Sequence, residues 1–242
     1  MAGKYCAECG QELPQIKPTH IVAILDMSGS MMGTAAEVIN SFKSFVDEQK
    51  KIEGKASVSL ILFDTAFEMP YVRRPLHNVP KLTNKVYAPR GCTALFDAIN
   101  LGITEYFDKD RNEKTIFVII TDGAENASRI VRSHADIKRK ISTVREHGAE
   151  FVFMAADEAS FAQGAAIGIP SGNTFCYDSV GYSGGIKTLS SSMGTYRTSS
   201  AASTNCFFVD TNANKNINVL DDSVVLTTTS GKDSINASVD QW

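Results

Sequence analysis

Three short segments of this 242-residue chain carry hard oxygen donors at points where the chain changes direction. Asp26-Met27-Ser28-Gly29-Ser30 follows an apolar run, Gly91-Cys92-Thr93 opens a helical pattern, and Thr121-Asp122-Gly123 follows another apolar run. Asp26 and Asp122 supply carboxylates, and Ser28, Ser30 and Thr93 supply hydroxyls. That donor set suits Mg²⁺ or Mn²⁺ rather than a thiolate-seeking metal. Gly29 lets the first loop bend so that both serines can face one ion. Asp and Ser also cap helices and form turns, but that reading leaves the coincidence with Thr93 and Asp122 unexplained.

The elements flanking these segments must bring them together. His20–Leu25, Ala56–Phe63, Thr115–Ile120 and Phe151–Ala155 are aliphatic and aromatic runs with no alternation, as in strands buried on both faces. Between them, apolar residues at helical spacing predict helices over Thr34–Lys50, Thr93–Phe107 and Ser128–His147. A short helix over Glu158–Ile167, a fifth strand over Asn173–Tyr177 and a last helix within Ser183–Ala202 follow. Ala66–Arg73, after the Asp64-Thr65 turn, reads as an antiparallel edge strand, where Pro70 is tolerated. The alternation predicts an α/β doubly wound, Rossmann-like, mainly parallel sheet with one antiparallel edge strand and helices on both faces. In such a sheet, loops at the carboxyl ends of strands converge on one crevice. The expected organisation is a cysteine-bearing lead over 1–18, one main domain over 19–200 and an extension over 201–242. In that extension Phe207-Phe208-Val209 and Val224-Val225-Leu226 could be short strands.

At these residues the chain resembles the von Willebrand factor A family and its metal-ion-dependent adhesion site, an Asp-x-Ser-x-Ser segment with a distant Thr and a later Asp. All five positions match: Asp26, Ser28, Ser30, Thr93 and Asp122. The resemblance spans about Thr19 to Ser200. It implies that Ser28, Ser30 and Thr93 give hydroxyl oxygens to the ion, with Asp26 and Asp122 holding it directly or through water. Gly91–Ile99 and Thr121–Ser128 look most like bacterial and bacteriophage intracellular members. An ion held by few, mostly neutral ligands keeps charge and an open position that an exposed Asp or Glu of a protein partner can fill. His20, His77, His134 and His147 are scattered, and no base or nucleophile motif accompanies the site, so the expectation is binding, not catalysis. The alternative is a structural or assembly protein, such as a phage virion component, with the domain as scaffold and the extension as the contact that allows oligomers.

Composition narrows the rest. Lys plus Arg is 24 and Asp plus Glu is 27, so a net charge of −3 gives no whole-chain reason to expect nucleic acid. Lys138, Arg139 and Lys140 read as a solvated helix face. No apolar run approaches the about 20 residues that span a bilayer, and no secretory signal opens the chain, so no membrane is expected. Five cysteines at irregular spacing suit a reducing compartment, which places the protein in the cytoplasm, or in a host cytoplasm or virion if phage-encoded. Cys6 and Cys9 form a C-x-x-C knuckle and are candidate Zn²⁺ ligands, though a closed site would need His20, a remote cysteine or another subunit. Cys92 reads as a small core-facing residue. Asp157, after the fourth strand, lies on the expected rim of the site, where it either shapes partner choice or caps the following helix.

Overall fold

A computed structural model describes residues 16–177, 180–199 and 206–208. The expected strands form one six-stranded sheet. They are β1 (Thr19–Asp26), β2 (Ala56–Phe63), β3 (Phe67–Pro75), β4 (Lys114–Thr121), β5 (Glu150–Ala155) and β6 (Thr174–Cys176), in the order β3-β2-β1-β4-β5-β6. Every pairing is parallel except β2 with β3, which forms the antiparallel edge. Strand order reverses between β1 and β4: the chain moves one way from β1 to β2 and the other way from β4 to β5. An open parallel sheet forms its binding crevice at such a reversal, outside the carboxyl ends of the two strands. Asp26 ends β1 and Thr121 ends β4.

Buried runs without alternation are needed because helices cover both faces. Ile21, Ala23, Leu25, Val118 and Ile120 pack in one core with α1 (Ala35–Gln49) and α5 (Gly181–Thr198). Val22, Ile24, Phe117 and Ile119 pack in the other with α2 (Leu95–Tyr106) and α3 (His134–Glu146). The helix α4 (Glu158–Ala166) covers β5 and β6. β1, β2, β4 and β5 therefore send successive side chains into opposite cores, and a one-residue slip would exchange them all.

Two expectations change. The third helix begins at His134 rather than near Ser128, because the carboxylate of Asp97 on α2 accepts the amides of Arg129, Ile130 and Val131. Ser133 then caps the helix, accepting the amide of Asp136 at 3.1 Å. Phe207 and Phe208, expected in a strand of the extension, form a turn and are buried in the core with α5. Their amides donate to Asn173 Oδ1 and Gly172 O, and their rings meet Tyr196 and Phe175. Val209 and the rest of the extension, like Cys6 and Cys9, lie outside the described residues. No helix among the described residues is long and apolar enough to cross a membrane.

His20 is withdrawn as a candidate zinc ligand. Its ring is buried in β1, with Nε2 2.9 Å from Ser59 Oγ and Tyr106 packed edge-on at 5.6 Å. Burial, with the charges of Arg73 and Arg111, lowers its pKa from 6.5 to about 3. Because the folded value lies below the unfolded one, protonation favours unfolding. Stability is unaffected above pH 6.5 and declines as pH falls from there toward 3. Urea midpoints measured down this range should fall less steeply in His20→Leu than in the parent. Phe208→Ala should cost about 3 kcal/mol, as expected for truncating a buried aromatic, in the same denaturation measurement.

Candidate metal centre

The segment after β1 is built to expose oxygen atoms. Ser28 donates its amide to Asp26 Oδ1 at 2.7 Å, and Met27 donates its own to Phe63 O at 2.7 Å. Gly29–Thr34 then turns as a short 3-10 helix into α1. This tight return places Ser28 Oγ 3.1 Å from Ser30 Oγ. Ser30 Oγ in turn donates to Asp122 Oδ1 at 2.7 Å, so the first loop and the third meet directly. Thr121 Oγ1 donates to Asp26 Oδ2 at 2.5 Å and accepts the Gly123 amide at 3.1 Å.

The Thr93 loop is tied to both of the others. Gly29 donates its amide to Gly91 O at 3.1 Å and Arg90 donates its own to Met27 O at 2.8 Å. Gly91 sits at φ +68°, a left-handed conformation that favours glycine, with Asp64 and Thr65 against its Cα. On the other side Asn126 Oδ1 accepts the Thr93 amide, while Thr93 O accepts the amides of Asn126 and Ala127. Glu125 extends the clamp, accepting the amides of Phe96, Ala127 and Ser128. Tyr87, buried, donates its hydroxyl to Asp26 O at 2.7 Å.

The donors converge. A Cβ built on Gly123 would lie 3.1 Å from Thr93 Oγ1 and 3.9 Å from both Asp26 Oδ2 and Ser30 Oγ. One point on the third loop is thus within 4 Å of oxygens from the other two, and the absence of a side chain at position 123 keeps it open. The five residues named from sequence, Asp26, Ser28, Ser30, Thr93 and Asp122, are brought together there. Among the described residues, no group of three or more His, Cys, Asp or Glu side chains is placed to hold a metal. The gathering here is of hydroxyls around two carboxylates.

Charge is the second part of the fit. Asp26 is fully buried, and no Lys, Arg or His among the described residues forms an ion pair with Asp26 or Asp122. The nearby Arg90 is engaged by Asp64 at 2.9 Å and Glu68 at 2.6 Å. Burial pushes the Asp26 carboxyl above its usual value, and the Asp122 charge adds to the rise. Hydrogen bonds from Thr121 and Ser28 pull the other way. Burial, with the same carboxylates, also raises the hydroxyls of Tyr87 and Tyr177. A divalent cation would supply the missing positive charge, and the neutral oxygens of Ser28, Ser30 and Thr93 would hold it without cancelling it.

Asp157 caps α4, accepting the amide of Ser160 at 2.7 Å, and this bond holds its carboxyl below the usual range. It is exposed beyond the end of β5. Cys92 is exposed rather than core-facing, because the chain reverses at Gly91 and only Thr93 turns inward. Lys138, Arg139 and Lys140 are exposed on α3. Sequence reasoning missed Glu125, Asn126, Asp97 and Tyr87. The polar run Glu125-Asn126-Ala127-Ser128 carried a signal, since such residues next to a loop often collect backbone amides.

A sequence profile of the von Willebrand factor type A domain matches residues 20–191, so the chain belongs to that family. Solved structures share the fold at low identity. Proximal thread matrix protein 1 from the mussel byssus matches over 75% of this chain and 46% of its own, at 13% identity and a TM-score of 0.56. The pilus adhesin SpaC of Lactobacillus rhamnosus GG, in its open conformation, matches over 75% of this chain and 30% of its own, at 14% identity and a TM-score of 0.60. The conserved hypothetical protein BatB of Bacteroides thetaiotaomicron matches over 75% and 100%, at 14% identity and a TM-score of 0.52. The chain thus spans less than half of the first two proteins. No curated protein sequence matches.

A buried carboxylate without a counter-charge should destabilise the metal-free fold. Its folded pKa is raised, so the ionised form is penalised and metal-free stability falls as pH rises from 3.8 through the folded value. Asp26→Asn should therefore raise metal-free stability at pH 7 by about 1 kcal/mol, a few degrees of thermal midpoint for a domain of this size. Added Mg²⁺ should raise the midpoint of the parent, and Asp26→Asn should remove that increase. Both are read by thermal unfolding with and without the ion.

Proposed function

We propose that this chain captures a protein partner through a divalent cation, Mg²⁺ or Mn²⁺. Ser28, Ser30 and Thr93 would hold the ion, with Asp26 and Asp122 fixing it directly or through water. An exposed Asp or Glu of the partner would complete its coordination. The observation that carries this reading is the convergence of Asp26, Ser30 and Thr93 oxygens on the opening beside Gly123, with Asp122 bonded to Ser30, around a buried carboxylate that no cationic side chain among the described residues neutralises. The chemistry fits binding rather than turnover: the donor set provides a Lewis-acidic anchor, and the nearby titratable residues are engaged in holding loops. Asp157 would be a rim residue whose charge tunes which acidic segment approaches.

The test is affinity capture from the native host, with and without chelator, alongside Mn²⁺ titration calorimetry. Ser28→Ala and Thr93→Ala each remove one donor oxygen and should weaken Mn²⁺ binding by about tenfold or more, with far-UV spectra unchanged. Gly123→Ala places a methyl group in the opening and should block the ion while leaving every donor present. Partner capture that survives chelation, or Mn²⁺ affinity unchanged in all three variants, would overturn the proposal.

A further inference from the structure

The opposite end of the sheet carries a second opening of different chemistry. A cavity of about 610 Å³ lies where β1 and β2 begin and β3 ends, lined by Pro18, Ile52, Ala56, Pro75 and Leu76 among apolar groups. Thr19, the first residue of β1, lines it. Asp26 ends the same strand, so the cavity and the metal centre are about 23 Å apart along β1. The volume falls within the about 300–1,000 Å³ of small-molecule sites.

Arg197 in the wall and Lys114 beside it carry buried positive charge with no ion pair to an acid among the described residues. Arg197, at the end of α5, lines the cavity while only 1% exposed. Its guanidinium donates to Gln49 O at 2.6 Å and Gly54 O at 2.9 Å, and its Nε has no partner among the described residues. Lys114, 4% exposed, donates to Tyr196 O at 2.7 Å and Ser199 O at 2.6 Å and sits over the Tyr196 ring. Its amide donates to the carbonyl of the cavity residue Pro18. Neutral carbonyls accept from the Arg197 terminal nitrogens and from Lys114 Nζ but leave the net charge of both cations buried, which is costly. Lys55, exposed, adds a third positive group at the cavity. Of the acids nearby, Glu113, in the cavity wall, is engaged by Arg73 at 2.7 Å and Asp47 by Lys50 at 3.0 Å, while Glu53 is exposed between the wall residues Ile52 and Gly54.

We propose that this cavity binds a small amphipathic anion, an apolar chain ending in a carboxylate. The chain lies against Pro18, Ile52, Ala56 and Leu76, and the carboxylate is held by the field of Arg197, Lys114 and Lys55. The site is independent of the metal centre. Its probes are decanoate, decanol and decyltrimethylammonium, three ten-carbon chains differing in head-group charge. Titration calorimetry on the full chain should give saturable one-to-one binding of decanoate, with the neutral and cationic analogues at least about tenfold weaker. Amide NMR signals of Lys55, Ala56 and Leu76 should move on titration, those of Ser28 and Gly123 should not, and added Mg²⁺ should change neither result. Lys55→Glu should weaken decanoate about tenfold with an unchanged thermal midpoint, since Lys55 is exposed, and Ser57→Phe should fill the cavity and abolish binding. The proposal is overturned if decanoate gives no saturable binding, as it would if the chain's own residues filled the cavity. Equal affinity for all three probes, or signal changes confined to other regions, would overturn it as well.

Discussion

A carboxylate held out of water at the end of a central strand sets the demands on everything around it. Asp26 is the last residue of β1, and the sheet on either side leaves its side chain no route to solvent. Ionised carboxylates are tolerated inside proteins when hydrogen bonds or an opposite charge offset the lost hydration. Here the amide of Ser28 and the hydroxyl of Thr121 supply the hydrogen bonds. No described cation supplies the charge. That imbalance links the fold to the function proposed for it, because it favours an arriving cation over any rearrangement of the protein's own side chains.

The surrounding polar residues are best understood as supports for that arrangement. Hydroxyls make useful ligands only when their loops are rigid, since each flexible ligand would cost conformational entropy on binding. Asn126 and Glu125 fix the Thr93 loop through its backbone, and Asp97 fixes the chain beyond by taking three consecutive amides. Tyr87 fixes the backbone of Asp26 itself. Each support engages a backbone partner, so the loops are held without using the hydroxyls of Ser28, Ser30 and Thr93, the first two of which bond within the site.

The strands and the five donor residues were legible in the sequence for physical reasons. Runs such as His20–Leu25 and Thr115–Ile120 have no polar alternation because both faces of the sheet are covered, and few other environments tolerate them. The donors were legible because their spacing coincides with strand ends. The supports were not, since Asp97 and Glu125 act across about 30 positions on amides that any residue carries. The late start of α3 was hidden for the same reason: the amphipathic pattern continues through Ser128, but a carboxylate on another helix claims the amides that a helix would need. Cys92 was misread because a small sulfur side chain beside a buried Thr looks like core, and only the turn at Gly91 decides its direction. Phe207 and Phe208 stand in a polar, aperiodic stretch, where nothing local indicates that they return to the sheet beside Phe175.

The two ends of the sheet are electrically opposite. At the carboxyl ends of β1 and β4 the fold buries anionic character without a cation, and at the starting ends of β1 and β2 it buries Arg197 and Lys114 without an anion. Neither arrangement follows from the folding problem alone, for a neutral side chain at either place would remove the cost of burying charge. Moving the two kinds of charge together would also cancel them, but the strands hold them about 23 Å apart, a distance over which their mutual attraction is weak. Charge of both signs kept at separate openings is the common ground of the cation and the anion proposed as ligands.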